Sequence, residues 1–195
     1  MAMKRIVQLL TAAVMTIAAF GCSKPETKKE IVTVKPEKIL IAYYSWSGNT
    51  KAAAEQIQKV TGGTLFRIGP VKPYPRGYNE CLKQAKKEID SNFKPDLAAK
   101  VESYDKYEVI FIGSPNWYGT IAPPVASFLS KYDLKGKTII PFITHGGGGM
   151  QRCEEGVRKQ CKEGTVLKAA GFSGGSVKSS GDKIAQWAKS CVDLK

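Results

Sequence analysis

Five short apolar runs recur along the chain, at Ile39 to Tyr44, Thr64 to Ile68, Tyr107 to Gly113, Thr138 to Thr144 and Thr165 to Phe172. Each is bounded by polar residues or glycine, and most are too short and too continuously apolar for surface helices, so they read as strands. Continuous apolar character means burial on both faces, the condition of a parallel sheet covered by helices. Between the runs the period changes. Over Lys51 to Val60, Ala53, Ile57 and Val60 share one face while Lys51, Glu55 and Lys59 lie elsewhere, as in a helix that lays one stripe on a sheet. Further helices are predicted over Tyr78 to Ile89, Ala122 to Tyr132, Met150 to Lys162 and Lys183 to Val192. Pro123 and Pro124 fit the third of these five helices because proline is tolerated in a first turn.

Strict alternation of strand and helix implies right-handed crossovers and an α/β fold: a three-layer α/β/α, doubly wound, five-stranded parallel sheet whose common strand order is 2-1-3-4-5. No internal repeat and no second domain break the pattern. In that order a ligand sits beyond the carboxyl ends of the strands, where the loops after the first, third and fourth strands converge.

The first of these loops reads Ser45-Trp46-Ser47-Gly48-Asn49-Thr50 and runs directly into a helix. Hydroxyls, an amide and free backbone N–H groups at a helix start make an anion cradle, favoured by the positive end of the helix dipole. With no Lys or Arg in those six residues, the cradle would hold a phosphate through neutral donors. It has neither the Gly-Lys-Ser/Thr ending of an NTP-binding loop nor the three-glycine dinucleotide fingerprint. The loop resembles that of the flavodoxin family, Ser/Thr-x-Ser/Thr-Gly-Asn-Thr, matched at Ser45, Ser47, Gly48, Asn49 and Thr50. The resemblance implies a flavodoxin-like fold and a grip on the 5'-phosphate of FMN.

The loop after the third strand, Gly113 to Thr120, places Pro115, Asn116, Trp117, Tyr118 and Gly119 at the same switch point. A flat tricyclic ring gains by stacking on large aromatics, and the resemblance implies that Trp117 or Tyr118 lines the isoalloxazine while neighbouring backbone meets its polar edge. After the fourth strand, Thr144-His145-Gly146-Gly147-Gly148-Gly149 removes side chains from four successive positions and lets backbone approach a ligand. By resemblance this is the third flavin loop. His145 is a candidate for proton transfer or for donation to the flavin edge, set against the commoner role of a plain polar loop residue. The match spans Lys38 to the C-terminus and includes an insertion, Tyr74 to Glu80, that looks like one subgroup of flavodoxin-like proteins.

The N-terminus changes the picture. Lys4 and Arg5 precede an uncharged apolar stretch, Ile6 to Phe20, shorter than the roughly 20 residues of a membrane span. Residues 1–22 read as a secretory signal. Ala19-Phe20-Gly21-Cys22 resembles the bacterial lipobox, with Cys22 as the lipidated residue, although Phe20 is bulkier than that pattern prefers. Residues 23–37, rich in Lys, Glu, Thr and Pro, read as a solvated tether, so the folded domain is expected over 38–195. The expected location is outside the cell membrane of a bacterium, anchored by lipid.

The formal charge is +13, of which Lys4 and Arg5 contribute two. Such a balance suits acidic partners or anionic membranes; scattered lysines without interleaved aromatics, in an exported chain, argue against nucleic acid. Cys81, Cys153, Cys161 and Cys191 allow up to two disulfides in three connectivities, but a bond between Cys153 and Cys161 within one continuous helix is excluded by their separation of roughly 12 Å. Without a Cys-x-x-Cys pair and with His145 the one histidine, metal binding is disfavoured.

Electron-transfer flavodoxins are usually acidic, and many place a tyrosine in the third loop over the outer flavin face. This chain is basic and offers only glycines after His145. A positive field favours the anionic reduced flavin and a less negative reduction potential, and an uncovered ring face could admit a quinone or a nicotinamide. Three readings follow: an FMN electron carrier, an FMN-dependent NAD(P)H:quinone oxidoreductase, and a flavin-free binding domain on the same fold. The corresponding partners are a redox protein or a small acceptor such as a quinone.

Overall fold

The computed structural model describes residues 31–195. The expected signal over 1–22, the lipidation at Cys22 and the first part of the tether lie outside the described residues.

The central sheet begins with β2, Ile39–Tyr43, buried at every position. It pairs in parallel with β3, Thr64–Arg67, on one side and with β4, Val109–Trp117, on the other. Next comes β6, Thr138–His145, and then the short β7, Thr165–Val166, and β8, Ala170–Ser173, both parallel to β6. The hydrogen-bonded order is β3-β2-β4-β6-β7, with β8 also on β6. Counted over the five predicted runs this is 2-1-3-4-5, the fifth run being split. The split falls at Leu167 to Ala169, where the Ala169 N–H leaves the ladder and donates to the Glu154 carboxylate at 2.9 Å.

Five helices cover the sheet. α1, Asn49–Thr61, and α5, Gly181–Lys189, close one face over Ile39, Ile41, Val109, Phe111, Ile140 and Phe142. α2, Tyr78–Asp90, α3, Pro123–Lys131, and α4, Cys153–Gln160, close the other over Leu40, Ala42, Ile110, Ile112, Ile139 and Ile143. Alternate residues of each strand therefore feed opposite cores, as the pleat requires. Pro123 and Pro124 occupy the first turn of α3. No helix among the described residues is long and apolar enough to cross a membrane.

Four boundaries differ from expectation. Val32–Val34, assigned to the tether, forms β1 and pairs in parallel with β9, Val192–Leu194, so the fold begins about six residues before Lys38. Val34 and Val192 are buried beside α5, and three-residue apolar segments like these fall below any periodicity window. Pairing with β1 also ends the last helix at Lys189, short of Val192. The fourth helix starts at Cys153, because Gly149 and Gln151 take left-handed backbone angles. The expected loop after the third strand is largely strand: β4 runs on to Trp117 and turns back as β5, Thr120–Ile121. No disulfide links the described residues; Cys81, Cys153, Cys161 and Cys191 are buried, and the Cys191 thiol donates to the Trp187 carbonyl at 3.3 Å.

Candidate functional site

The first loop leaves β2 still paired, the Tyr44 N–H donating to the Gly113 carbonyl at 3.0 Å. Ser45, 5% exposed, accepts the Gly48 N–H on its hydroxyl at 3.1 Å. Gly48 turns the chain into α1 at φ +92°, a left-handed angle that a Cβ would strain. The first intrahelical bond is from Ala52 N–H to the Gly48 carbonyl at 3.0 Å, so the N–H groups of Asn49, Thr50 and Lys51 precede it at the positive end of the helix. Ser47 is exposed beside them and Asn49 half-buried. This is a neutral anion cradle assembled from backbone and hydroxyls.

Thr50 ties the cradle to the fourth-strand loop. It is 1% exposed, and its hydroxyl lies 2.8 Å from that of Thr144, itself buried at the end of β6. Beyond Thr144, the His145 carbonyl accepts the Gly174 N–H at 2.8 Å, and its ring Nδ1 accepts the Gly147 N–H at 3.3 Å. Gly146, Gly147 and Gly148 are exposed, with Gly147 at φ +132°. A Cβ on Gly174 would stand 2.5 Å from Asn49 Nδ2, so the segment after β8 packs on the first loop. Sequence reasoning passed over that contact; the Gly174-Gly175 pair just after the fifth run was its signal.

The second wall is the β4–β5 hairpin. Tyr118 and Gly119 are both at positive φ, +51° and +84°, the signature of a tight two-residue turn whose twist matches its strands. Asn116 fixes it from within, its Oδ1 accepting the Gly119 N–H at 2.9 Å and its Nδ2 donating to the Gly149 carbonyl at 2.7 Å. Hairpin and glycine loop are thus joined through one amide. Pro115 is half-buried and in register with Thr144. Trp117 is half-buried and stands edge-on to Tyr44, centroids 5.5 Å apart, and to Tyr74, 4.9 Å apart. Tyr118 turns the other way, its hydroxyl donating to the Leu82 carbonyl of α2 at 3.2 Å. Of the two aromatics, Trp117 alone packs into the cluster with Tyr44.

Behind Trp117 lies a polar anchor that the sequence did not suggest. Tyr74 donates its hydroxyl to the Glu88 carboxylate, and Gln84 Nε2 donates to the same group at 2.8 Å. Glu88 is 9% exposed, the one buried ionisable acid or base among the described residues apart from thiols and phenols. Burial pushes the Tyr44 phenol far above its ordinary range, and burial followed by the Glu88 hydrogen bond does the same for Tyr74, so both rings stay neutral. Trp46 completes the surround: it is half-buried, donates Nε1–H to the Pro75 carbonyl at 3.0 Å, and stands 6.2 Å from Tyr78. The inserted segment is thereby drawn up to the first loop.

The three predicted loops therefore meet at one end of the sheet, linked by Thr50 to Thr144 and by Asn116 to Gly149. A phosphate fits the open first turn of α1. No group of three or more His, Cys, Asp or Glu that could hold a metal ion occurs among the described residues.

A family model described as flavodoxin matches residues 38–191. The chain belongs to the flavodoxin family. Among solved structures, this flavodoxin domain is similar to a protein from Bacteroides uniformis described as a "putative flavoprotein", 28% identical with a TM-score of 0.70 over 80% of this chain and 99% of that one. It is also similar to a flavoprotein from Lactobacillus acidophilus solved in complex with FMN, 26% identical with a TM-score of 0.62 over 76% and 99% of the two chains. A curated relative named NAD(P)H dehydrogenase (quinone), from Cupriavidus metallidurans, is 32% identical over 100 residues, 48% of this chain. The chain spans 46% of that relative's length.

Proposed function

We propose that this flavodoxin domain binds one FMN without a covalent bond and serves as a carrier of electrons. The observation that carries the reading is the 2.8 Å hydroxyl contact between Thr50 and Thr144, which joins the open first turn of α1 to the glycine loop as one preformed site. Ser45, Ser47, Gly48, Asn49 and Thr50 hold the phosphate. Trp117 offers its face or edge to the ring, with Trp46, Pro115, Asn116 and Gly119 around it and Thr144 to Gly148 opposite. Bound FMN supplies one- and two-electron redox chemistry; the protein supplies orientation and a basic field. That the related Lactobacillus acidophilus structure holds FMN supports the assignment.

Titration of the purified chain with FMN, followed by quenching of flavin fluorescence, tests this reading. Tight binding is expected, weakened by both Trp117→Ala and Asn49→Ala; no binding would remove the flavin and leave only the fold. The formal charge of +13 supports a second expectation, a less negative potential for the fully reduced couple than acidic flavodoxins show. A strongly low potential in spectroelectrochemical titration would overturn it.

A second reading is favoured by one feature, the exposure of Gly146, Gly147 and Gly148, which themselves bring no side chain over that side of the site. An uncovered ring face admits a planar acceptor, and the name of the Cupriavidus metallidurans relative agrees with an NAD(P)H:quinone oxidoreductase. Steady-state turnover with NADH or NADPH and a quinone separates enzyme from carrier. We further propose, on the pattern of residues 1–22, export and lipid attachment at Cys22 on the outer side of a bacterial membrane. Complete release of the native protein from membranes by a high-salt wash would refute the anchor.

A further inference from the structure

The mouth of the site carries an arc of exposed cations and tyrosines that binding of a cofactor does not use. It starts at Arg76, next to Pro75, whose carbonyl holds Trp46. Tyr78 follows at the start of α2, 64% exposed and 6.2 Å from Trp46. Along α2 come the exposed Lys83 and Lys86, and Lys86 Nζ stands 6.0 Å from the centre of the Tyr118 ring. Tyr118, 45% exposed, is pinned to α2 through the Leu82 carbonyl. Arg152 closes the arc, its backbone N–H donating to the Gly119 carbonyl at 3.0 Å and its side chain exposed.

The acids along this arc are Glu80, Asp90 and Glu155, of which Asp90 is ion-paired. Glu80 folds back over the α2 start, where a Cβ on Gly77 would meet its carboxylate, and Asp90 pairs with Lys86 at 2.6 Å. Glu155 stands exposed one turn into α4. Arg76, Lys83 and Arg152 take part in no ion pair among the described residues. Two exposed tyrosines flanked by uncommitted cations match the composition of protein interfaces, where Tyr and Arg are enriched and Lys and Glu are displaced to the rim.

We propose that this arc is the docking surface for an acidic redox protein, which seats on Tyr78 and Tyr118 between Arg76 and Arg152. The proposal rests on the carrier reading above and names its partner by charge. An acidic partner is the occupant that the charge selects: complementary potentials steer encounter and fix orientation, and the arc surrounds the mouth through which electrons must pass. A large acidic patch on such a partner would meet Arg76, next to the Pro75 that holds Trp46, and Arg152, whose backbone N–H is bonded to the Gly119 carbonyl of the hairpin.

The test measures binding, independent of turnover. The full chain, with and without FMN, is titrated calorimetrically with an acidic plant-type ferredoxin and, in parallel, with basic cytochrome c. We expect ferredoxin to bind and cytochrome c not to, with the ferredoxin Kd rising about tenfold between about 20 and 300 mM salt. The Arg76→Glu/Arg152→Glu double variant should weaken ferredoxin binding about tenfold or more, while Lys35→Glu/Lys135→Glu, which reverses two exposed charges at the opposite end of the sheet, leaves it within about twofold. A melting temperature equal to that of the parent checks that the double variant is folded. Equal binding of the two probes, or an unchanged double variant, overturns the docking surface. So does binding to vesicles of anionic lipid in place of ferredoxin. FMN affinity, read separately by fluorescence, decides the carrier reading by itself, so failure of one is not mistaken for failure of the other.

Discussion

The two faces of the sheet are packed by different chemistry. Under α1 and α5 the core is hydrocarbon with little polarity: Ala53, Ala54 and Ala188 let the helices approach closely over Ile39, Ile41, Val109, Phe111 and Phe142, and Tyr43 is its one buried tyrosine among the described residues. Under α2, α3 and α4 it is aromatic and hydroxylated, with Tyr44, Tyr74, Tyr104 and Tyr107 beside three cysteines and the buried Glu88. The first face carries the helix whose N-terminus forms the anion cradle. The second backs Trp117 and the inserted segment. A phosphate needs fixed backbone donors, which close helix–sheet packing supplies; a planar ring needs a wall of matching shape, which aromatic side chains held by hydrogen bonds supply.

The comparison breaks most directly at Phe111, fully buried on the face under α1 and α5 and edge-on to Trp187 at 5.9 Å. Phe111→Ala should cost about 3–5 kcal/mol, because a closely packed core collapses poorly into the space left. Urea unfolding reads it directly. A loss under about 1 kcal/mol would mean that this face is loosely packed and that the contrast is false.

Alkaline pH acts on the other face. Burial lifts the Cys153 and Cys161 thiols from 9.0 to about 12, so between those values the folded protein keeps two protons that the unfolded chain releases. Protons bound by the unfolded state are then fewer, and stability falls as pH rises. Stability from this source is intact below pH 9.0 and declines above it, by about 1.4 kcal/mol per thiol for each pH unit. At about pH 10 the combined loss should be about 2–3 kcal/mol, less the share of any other group that titrates there, and Cys153→Ala/Cys161→Ala should flatten the curve. An unchanged slope in the double variant would contradict it. Thiol alkylation of the native protein should accordingly be slow.

Glu88 sharpens the contrast at the point where packing meets the site. Glu88→Ala leaves the Tyr74 hydroxyl and the Gln84 amide without their acceptor in a buried place, at a cost of about 1–3 kcal/mol. Glu88→Gln retains an acceptor and should cost less. Because Tyr74 stands 4.9 Å from Trp117, the alanine variant should also alter Trp117 emission, an effect absent if the wall is braced only by its own packing.

How far the chain discloses itself follows the same division. Ser45 to Thr50 is contiguous, and each residue type acts where it stands, so the cradle can be read from six letters. The five main strands are equally plain, since burial on both faces leaves unbroken apolar runs. The hairpin is not: Pro115 and Asn116 have the composition of a loop, and its turn is made by Tyr118 at φ +51°, a residue no turn rule selects. Glu88 is hidden for a related reason, because a glutamate on a lysine-rich helix is assigned to the surface until its distant partner Tyr74 is known. β1 and β9 each offer three residues, and only their pairing across the length of the domain reveals them. Local chemistry is legible; partners supplied from elsewhere in the fold are not.

The smallest expected effect tests whether the two sides of the site are truly coupled. Thr50 and Thr144 are nearly inaccessible, and their 2.8 Å contact is the one side-chain hydrogen bond between the cradle and the end of β6 among the described residues. Thr144→Val keeps the shape, removes one hydroxyl and strands the other, which should cost about 1 kcal/mol of stability. If the bond merely satisfies two buried hydroxyls, FMN affinity falls by no more than that stability change predicts, and Thr50→Val behaves alike. If it holds the first turn of α1 against the glycine loop, both variants should weaken FMN severalfold while Thr61→Val, a buried hydroxyl at the far end of the same helix that donates to the Ile57 carbonyl and accepts the Gly63 N–H, lowers stability and leaves FMN affinity unchanged. Equal affinities for all three variants would show that the phosphate cradle stands by itself, positioned by α1 packing alone.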